Sequence, residues 1–312
     1  MKVIFLGTPE FACTVLNEIA KSRHQVVAVV CQPDKISGRG NKLVSPPAKL
    51  LANSLNIPVY QFEKIRRDGV DTLKQLNADI MVTAAYGQIL SQEIIDICPH
   101  KIINVHGSLL PKYRGASPIQ YAILNGESVT GVTIMQTEAG VDTGPMLLKQ
   151  EVEILPNDTY GSLSEKLSLV GANLAVKALD LIQDGKAVWT VQNEQEATFT
   201  KMIKQDFEYL DFNDTKDNLV NKVRALNPNP VAKFILQENT FKVFELKAVE
   251  LKDDNAKNGQ VLVASSKAGL VIKCSDGAVE VVEFQAPNSK RMSAKSYLNG
   301  KKIEVGSVCQ IS

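Results

Sequence analysis

The chain has 312 residues, 44% of them hydrophobic, with 35 Lys and Arg against 34 Asp and Glu. That length exceeds the usual single domain, so two domains are expected, and a net charge of +1 excludes a polyanion binder that works through bulk charge. The five cysteines (Cys13, Cys31, Cys98, Cys274, Cys309) have no paired spacing, which fits a reducing cytoplasm, and the short apolar start falls well below the ~20 residues of a membrane helix.

Lys2–Gly7 is a continuous apolar run, the mark of a buried strand. Thr8 then reads as a helix cap and Pro9 as a first helical residue, ahead of an amphipathic helix over 10–22. Gln25–Cys31 completes a β-α-β unit and predicts a parallel sheet. The intervening turn has Gly7 alone where a dinucleotide site needs Gly-x-Gly-x-x-Gly. Residues 32–47 hold Pro33, Gly38, Gly40, Pro46 and Pro47 among Lys35, Arg39 and Lys42. They predict a long basic loop with little internal structure, and such loops are often functional.

Helices are expected over 48–55 and 70–76, and strands over 58–60 and 78–84. An apolar strand from Ile102 to Val105 runs into His106 and Gly107, with Asn104 and His106 on one face. A strand end of this kind is where open α/β sheets place their chemistry. A helix over 117–125 follows, then a β-branched strand over 128–137, a turn-rich loop containing Asp142, and a strand over 146–154. Two strands joined by one short loop predict an antiparallel pair, and so a mixed sheet. The long helix over 159–185 has Asp158 or Thr159 as its cap and Gly185 as its stop.

The texture changes after residue 190. A polar stretch reads as a linker at 191–205, between an N-terminal domain at 1–190 and a C-terminal one at 206–312. One helix lies within 213–227. Short alternating strands over 231–236, 240–249, 259–264, 270–273, 277–284 and 306–311 then predict a small β barrel or sandwich.

Asn104, His106 and Asp142 form a set suited to acyl-type transfer. Asn and a protonated His can stabilise an oxyanion, and the Asp can orient and charge the imidazole. Gly107 lets a ligand approach the backbone closely. Ser108 lacks the Gly-x-Ser-x-Gly elbow of a nucleophile, and Asp142-Thr143-Gly144 occurs once where an aspartic protease needs two carboxylates. Cys98, His100 and His106 cluster in sequence, but the two histidines flank a strand, so no metal is expected.

These residues carry a family resemblance. Asn104-x-His106-Gly107-Ser108-Leu109-Leu110-Pro111, followed by Tyr113-Arg114-Gly115-Ala116-x-Pro118-Ile119, resembles the signature of the folate-dependent formyltransferases. Asp142, within Gly140-Val141-Asp142-Thr143-Gly144-Pro145, resembles the family's catalytic aspartate loop. Gly7-Thr8-Pro9-Glu10-Phe11, the loop from Gln32 through Gly40, and Arg224-Ala225-Leu226-Asn227-Pro228 are similar to the members that act on methionyl-tRNA.

The resemblance implies an α/β fold: a Rossmann-like, mixed-sheet formyltransferase domain followed by a small OB-fold-like β-barrel domain that contacts tRNA. It implies an enzyme that moves the formyl group of 10-formyltetrahydrofolate onto the α-amino group of methionyl initiator tRNA for translation initiation, and a cytoplasmic monomer is expected. It assigns catalysis to Asn104, His106 and Asp142, and folate binding to Ser108, Leu109, Leu110 and Pro111. Arg39 and Lys42 in the basic loop would reach the tRNA. The acid-free run 285–302 adds Lys290 and Arg291 as tRNA contacts, although 206–312 as a whole is close to neutral where an RNA binder is expected to be basic. A formyltransferase acting on a sugar nucleotide amine or glycinamide ribonucleotide would carry the same catalytic set. The basic loop and the β domain favour tRNA. A non-catalytic RNA-binding barrel has less support, since no regular aromatic platform is visible.

Overall fold

The computed structural model describes residues 1–37, 42–251, 253 and 255–310. The chain divides into two compact units: Met1–Pro118, Val129–Glu153 and Ser164–Thr200 in the first, and Ile119–Ser128, Ile154–Leu163 and the chain from Lys201 onward in the second.

The first unit is built on a seven-stranded sheet. Its strands are β1 (Lys2–Gly7), β2 (Gln25–Cys31), β5 (Val59–Gln61), β6 (Ile80–Ala84), β7 (Ile102–His106), β9 (Val129–Gln136) and β10 (Met146–Glu153), in spatial order β10-β9-β7-β6-β1-β2-β5. The five strands from β5 to β7 are parallel; β9 runs against β7, and β10 against β9. The mixed sheet and its antiparallel pair are as expected. Outside it, β8 (Arg114–Gly115) pairs in parallel with β11 (Phe199–Thr200).

The apolar runs of β1 and β6 are buried on both faces. One face packs Ile4, Leu6, Met81 and Ile102 against Ile65 and Leu73, from the short helices α3 (Ile65–Asp68) and α4 (Val70–Gln75), and Ile94 from α5 (Gln92–Ile95). The other carries α1 (Glu10–Lys21), which buries Ala12, Val15, Leu16 and Ile19 at helical spacing, and α7 (Tyr160–Gln183). Gly171 lets α7 approach β7 closely: a Cβ there would sit 2.7 Å from Val105 Cγ1. A side chain at 171 would therefore push the helix off β7, the strand that carries Asn104 and His106.

Two local expectations are corrected. Thr8 does not cap α1, whose N-cap is Pro9 with no side-chain bond. Its hydroxyl instead donates to the Tyr86 carbonyl at 3.0 Å, tying the end of β1 to the loop after β6, where the strand order reverses. Residues 32–47 are not without structure either. β3 (Lys35–Ser37) and β4 (Lys42–Val44) pair as an antiparallel hairpin ahead of α2 (Pro47–Ser54). Ile36, Leu43 and Val44 are exposed, so no core-facing alternation announces the hairpin in the sequence. Its base is held by Lys49, which donates to Asp34 at 2.7 Å and to Gln61 at 2.9 Å. The Lys49 bond, followed by one that Gln61 Nε2 donates to Asp34 at 2.8 Å, holds the Asp34 carboxyl below the usual carboxylate range.

The second unit contains a six-stranded antiparallel sheet from β12 (Ala232–Leu236), β13 (Asn239–Val249), β14 (Val261–Ser265), β15 (Gly269–Cys274), β16 (Gly277–Gln285) and β17 (Met292–Ser293). The main path is β12-β13-β16-β15-β14, with β17 on β16. Of the strand expected over 306–311, residue 311 lies outside the described residues, and the rest makes single bridges instead, Ile235 to Gln310 and Gln260 to Val308, and so spans from the β12 edge to the β14 edge. The interior is aromatic, with Phe234 stacked on Phe241 at 5.0 Å and Phe284 edge-on to Tyr297 at 5.1 Å between centroids. α8 (Lys216–Leu226), capped by Thr215, adds Leu219, Val223 and Leu226 to it, and α9 (Ala294–Leu298) adds Ala294. Also in this unit are α6 (Pro118–Leu124), from Ile119 on, and the first turn of α7, capped by the Thr159 hydroxyl. Arg224 explains the second of these: it donates to the Asp158 and Leu155 carbonyls at 2.9 and 3.0 Å.

Candidate active site

The carboxy end of β7 carries the chemistry. Asn104 is half-buried and its register partner on β6 is Thr83. The Thr83 hydroxyl donates to Asn104 Oδ1 at 2.8 Å, which leaves the Asn104 amide nitrogen as a donor with no partner among the described residues. Two residues on, His106 is only 5% exposed. Its Nε2 lies 3.0 Å from the Tyr113 carbonyl, an atom that can only accept, so Nε2 carries a hydrogen. The neutral ring then has a bare Nδ1, and Nδ1 faces Asp142 Oδ2 at 3.7 Å. That separation is an ion-pair distance, beyond a hydrogen bond. The ring is thus oriented by a backbone carbonyl, with the carboxylate facing its other nitrogen.

Asp142 is held at both ends. Its Oδ2 accepts from the Gly115 backbone N–H at 2.8 Å, and its own backbone has φ 52°, a left-handed conformation that Asp tolerates better than most residues. Its carbonyl and that of Gly144 both accept from Gln192 Nε2 at 2.8 Å. Gln192 Oε1 accepts from Arg114 Nε at 3.0 Å, and the rest of the buried Arg114 guanidinium donates two hydrogen bonds to the Glu194 carboxylate at 2.7 and 2.8 Å. Thr198 continues this wall: its hydroxyl accepts from Tyr113 N at 2.7 Å and its carbonyl from Arg114 N at 2.8 Å. Gln192, Glu194 and Thr198 fall in the stretch expected as a linker. Sequence reasoning missed them because their partners lie far off in the chain, as with Gln192, whose separations from Gly144 and Arg114 are 48 and 78. The one available signal was the run of hydrogen-bonding side chains through 192–200.

The 108–111 stretch forms a tight turn beside His106. Ser108 is fully buried, its hydroxyl donating to the Lys112 carbonyl at 2.6 Å. Thr133 of β9 donates to the Ser108 carbonyl at 2.7 Å and accepts from Leu110 N at 3.1 Å. Leu110 and Pro111 are buried, and Leu109 keeps partial exposure. Gly131 makes the room: a Cβ there would meet Leu109 Cδ2 at 2.5 Å. Ser108 and Leu110 thus shape the turn with groups that a ligand cannot use, while Leu109 presents its side chain.

The residues expected to meet RNA are apart from this constellation in sequence. Arg39 lies outside the described residues, and of Lys42 only the backbone in β4 is described. Lys290 is exposed. Arg291 is committed within its own unit, paired with Glu283 and stacked 4.2 Å over the Phe244 ring. Among the described residues, no group of three or more His, Cys, Asp or Glu side chains is disposed to hold a metal ion, and no helix is long and apolar enough to cross a membrane.

What the arrangement can do is donate a hydrogen bond from Asn104 to an acyl oxygen and shift a proton at the His106–Asp142 pair. The family profile described as formyl transferase matches residues 1–179, and that described as formyl transferase, C-terminal domain, matches 202–302. Methionyl-tRNA formyltransferase from Agathobacter rectalis is 42% identical over 308 residues, covering 98% of this chain and 99% of that one. The enzyme of the same name from Acetivibrio thermocellus is 42% identical over 309 residues, covering 99% of each. Among solved structures, the sugar 3N-formyl transferase WlaRD, with dTDP and 5-N-formyl-THF present, shares the fold at TM-score 0.67 and 20% identity, covering 93% of this chain and 99% of that one. HypX from Aquifex aeolicus, in complex with tetrahydrofolic acid, does so at TM-score 0.67 and 17% identity, over 98% of this chain and 50% of that one. The chain belongs to the methionyl-tRNA formyltransferase family.

Proposed function

We propose that the chain transfers the formyl group of 10-formyltetrahydrofolate to the α-amino group of methionyl initiator tRNA, with Asn104, His106 and Asp142 as its catalytic residues. The observation that carries this reading is the free amide donor of Asn104, fixed by Thr83 two residues from a histidine whose bare Nδ1 faces a carboxylate. Such a donor fits a formyl oxygen, and a His–Asp pair fits an amine that must lose a proton.

The folate supplies an activated formyl group bonded to N10. Asn104 donates to the formyl oxygen as the methionine amine forms its bond to the formyl carbon and negative charge gathers on that oxygen. His106 Nδ1 takes the proton the amine gives up, and Asp142 offsets the charge on the ring. The C–N10 bond then breaks and Nδ1 returns the proton to N10, so the site ends as it began. The 108–111 turn holds the donor, with Leu109 as its partly exposed side chain. Arg39 and Lys42 in the basic stretch 32–47, and Lys290 and Arg291 in the second unit, contact tRNA phosphates. Five unpaired cysteines support a cytoplasmic setting.

The test is formylation of methionyl initiator tRNA by Asn104→Ala, His106→Ala and Asp142→Ala, with a sugar-nucleotide amine as a second acceptor. Each variant is expected to lose orders of magnitude in turnover while keeping its fold. Near-normal rates in all three would refute the catalytic set. Formylation of the sugar amine with none of the tRNA would refute the acceptor.

A further inference from the structure

Gln192 is 4% exposed and uses both ends of its amide around the Asp142 loop: two donated bonds to the Asp142 and Gly144 carbonyls, and one accepted from Arg114. Arg114 is 1% exposed, and its guanidinium is further fixed by Glu194. The next residue, Gly115, supplies the N–H that holds the Asp142 carboxylate. The carbonyl and the carboxylate of Asp142 therefore both trace to one anchor, the two-residue strand β8, clamped by β11 and by Glu194. Phe199 of β11 lies beside the Arg114 guanidinium, 5.9 Å from carbon to ring centroid.

We propose that Gln192 and Arg114 are positioning residues, which touch no substrate but set the Asp142 carboxylate against His106 Nδ1. The proposal rests on the catalytic role given to Asp142 above. The loop leaves little alternative support. Asp142 has a left-handed backbone, and at Gly144 a Cβ would lie 1.9 Å from the Gln136 carbonyl, so the loop cannot relax by sliding there. Without the Gln192 amide, two carbonyls lose their shared donor and the carboxylate hangs from one N–H. Reacting groups are intolerant of such shifts: a misplacement of about 1 Å costs about 10²-fold in rate.

Gln192→Glu isolates the donor function. It keeps the side-chain length and the acceptor for Arg114, and turns a carboxylate oxygen toward the two loop carbonyls. In the full chain, with methionyl-tRNA as acceptor, kcat is expected to fall about 30- to 100-fold, KM for both substrates to stay within about threefold, and the acid limb of the pH–rate profile to move. Gln192→Met, neutral and without a donor, is expected to fall similarly and serves if the glutamate variant is unstable. The decisive reading is coupling. In an Asp142→Asn background, either change is expected to cost less than about twofold, because residues acting through one another are not additive. The proposal is overturned if folded Gln192 variants keep wild-type kcat, if their cost is undiminished in the Asp142→Asn background, if the loss appears in KM alone, or if both variants fail to fold. Wild-type turnover by Asp142→Asn itself would refute the catalytic role of that residue, and this proposal with it.

Discussion

Thr83→Val tests the orientation of the Asn104 amide, on which the oxyanion argument depends. Valine matches threonine in shape and in strand preference, and Thr83 is buried within β6, so the sheet should keep its register. What goes is a 2.8 Å hydrogen bond to Asn104 Oδ1. A neutral hydrogen bond contributes about 0.5–1.5 kcal/mol net, which corresponds to about 2- to 13-fold in a rate if it serves only to hold the amide the right way round. Removing the donor altogether by Asn104→Ala costs about 10²- to 10³-fold, the usual scale for one oxyanion donor. The expected order is therefore a mild loss in kcat for Thr83→Val, a severe one for Asn104→Ala, and no further loss when the two are combined. Steady-state formylation of methionyl-tRNA at saturating donor reads all three. An undiminished Thr83→Val effect in the Asn104→Ala background, or a loss as large as that of Asn104→Ala alone, would refute the orienting role.

Gly131→Ala would place a Cβ 2.2 Å from the Gln150 carbonyl and 2.5 Å from Leu109, so it is expected to cost about 1–3 kcal/mol, lower Tm by several degrees and raise KM for the formyl donor. An unchanged melt would count against the close packing of β9 on the 108–111 turn. Burial, then the N-terminal ammonium, lowers the His24 pKa, with Asp180 opposing. Protonation hence favours the unfolded chain, and stability falls as the pH drops through the ordinary histidine value toward the lower folded one. Differential scanning from pH 7 to pH 5 should show a smaller loss of Tm in His24→Gln; an identical slope would remove His24 from that response. Neutralising Lys290 and Arg291 is expected to weaken tRNA binding and flatten its salt dependence, chiefly through Lys290, since Arg291 is already paired with Glu283. An unchanged slope in filter binding would take this patch out of the interface.

Much of this molecule is legible from local sequence. Buried strands such as β1 and β6 declare themselves as apolar runs, and the alternation through Ile102–His106 puts Asn104 and His106 on one face, with the turn glycine after them. The aspartate is recognisable from its glycine-rich surroundings. What stays hidden is which distant groups meet. Thr8 has the composition of a cap, and the Tyr86 carbonyl that claims its hydroxyl can be found only once β1 and β6 are neighbours. His106 was expected to be oriented by Asp142, but the orienting bond goes to a main-chain carbonyl, which carries no side-chain signature. Gln192 and Glu194 look like solvated linker residues because polar composition reports the absence of an apolar face, and is silent on whether a buried arginine waits elsewhere.

The bridges at Gln310 and Val308 mean that the last few described residues act as a seam. They meet the backbone of Ile235 on one side of the sheet and of Gln260 on the other. A chain ending before Ser307 would leave both rims of the sheet with open peptide groups, each a ready template for a strand from another molecule. Shortening the protein from this end therefore threatens its solubility before its chemistry. Tags or fusions are better placed beyond the seam, with enough spacer that it can still close.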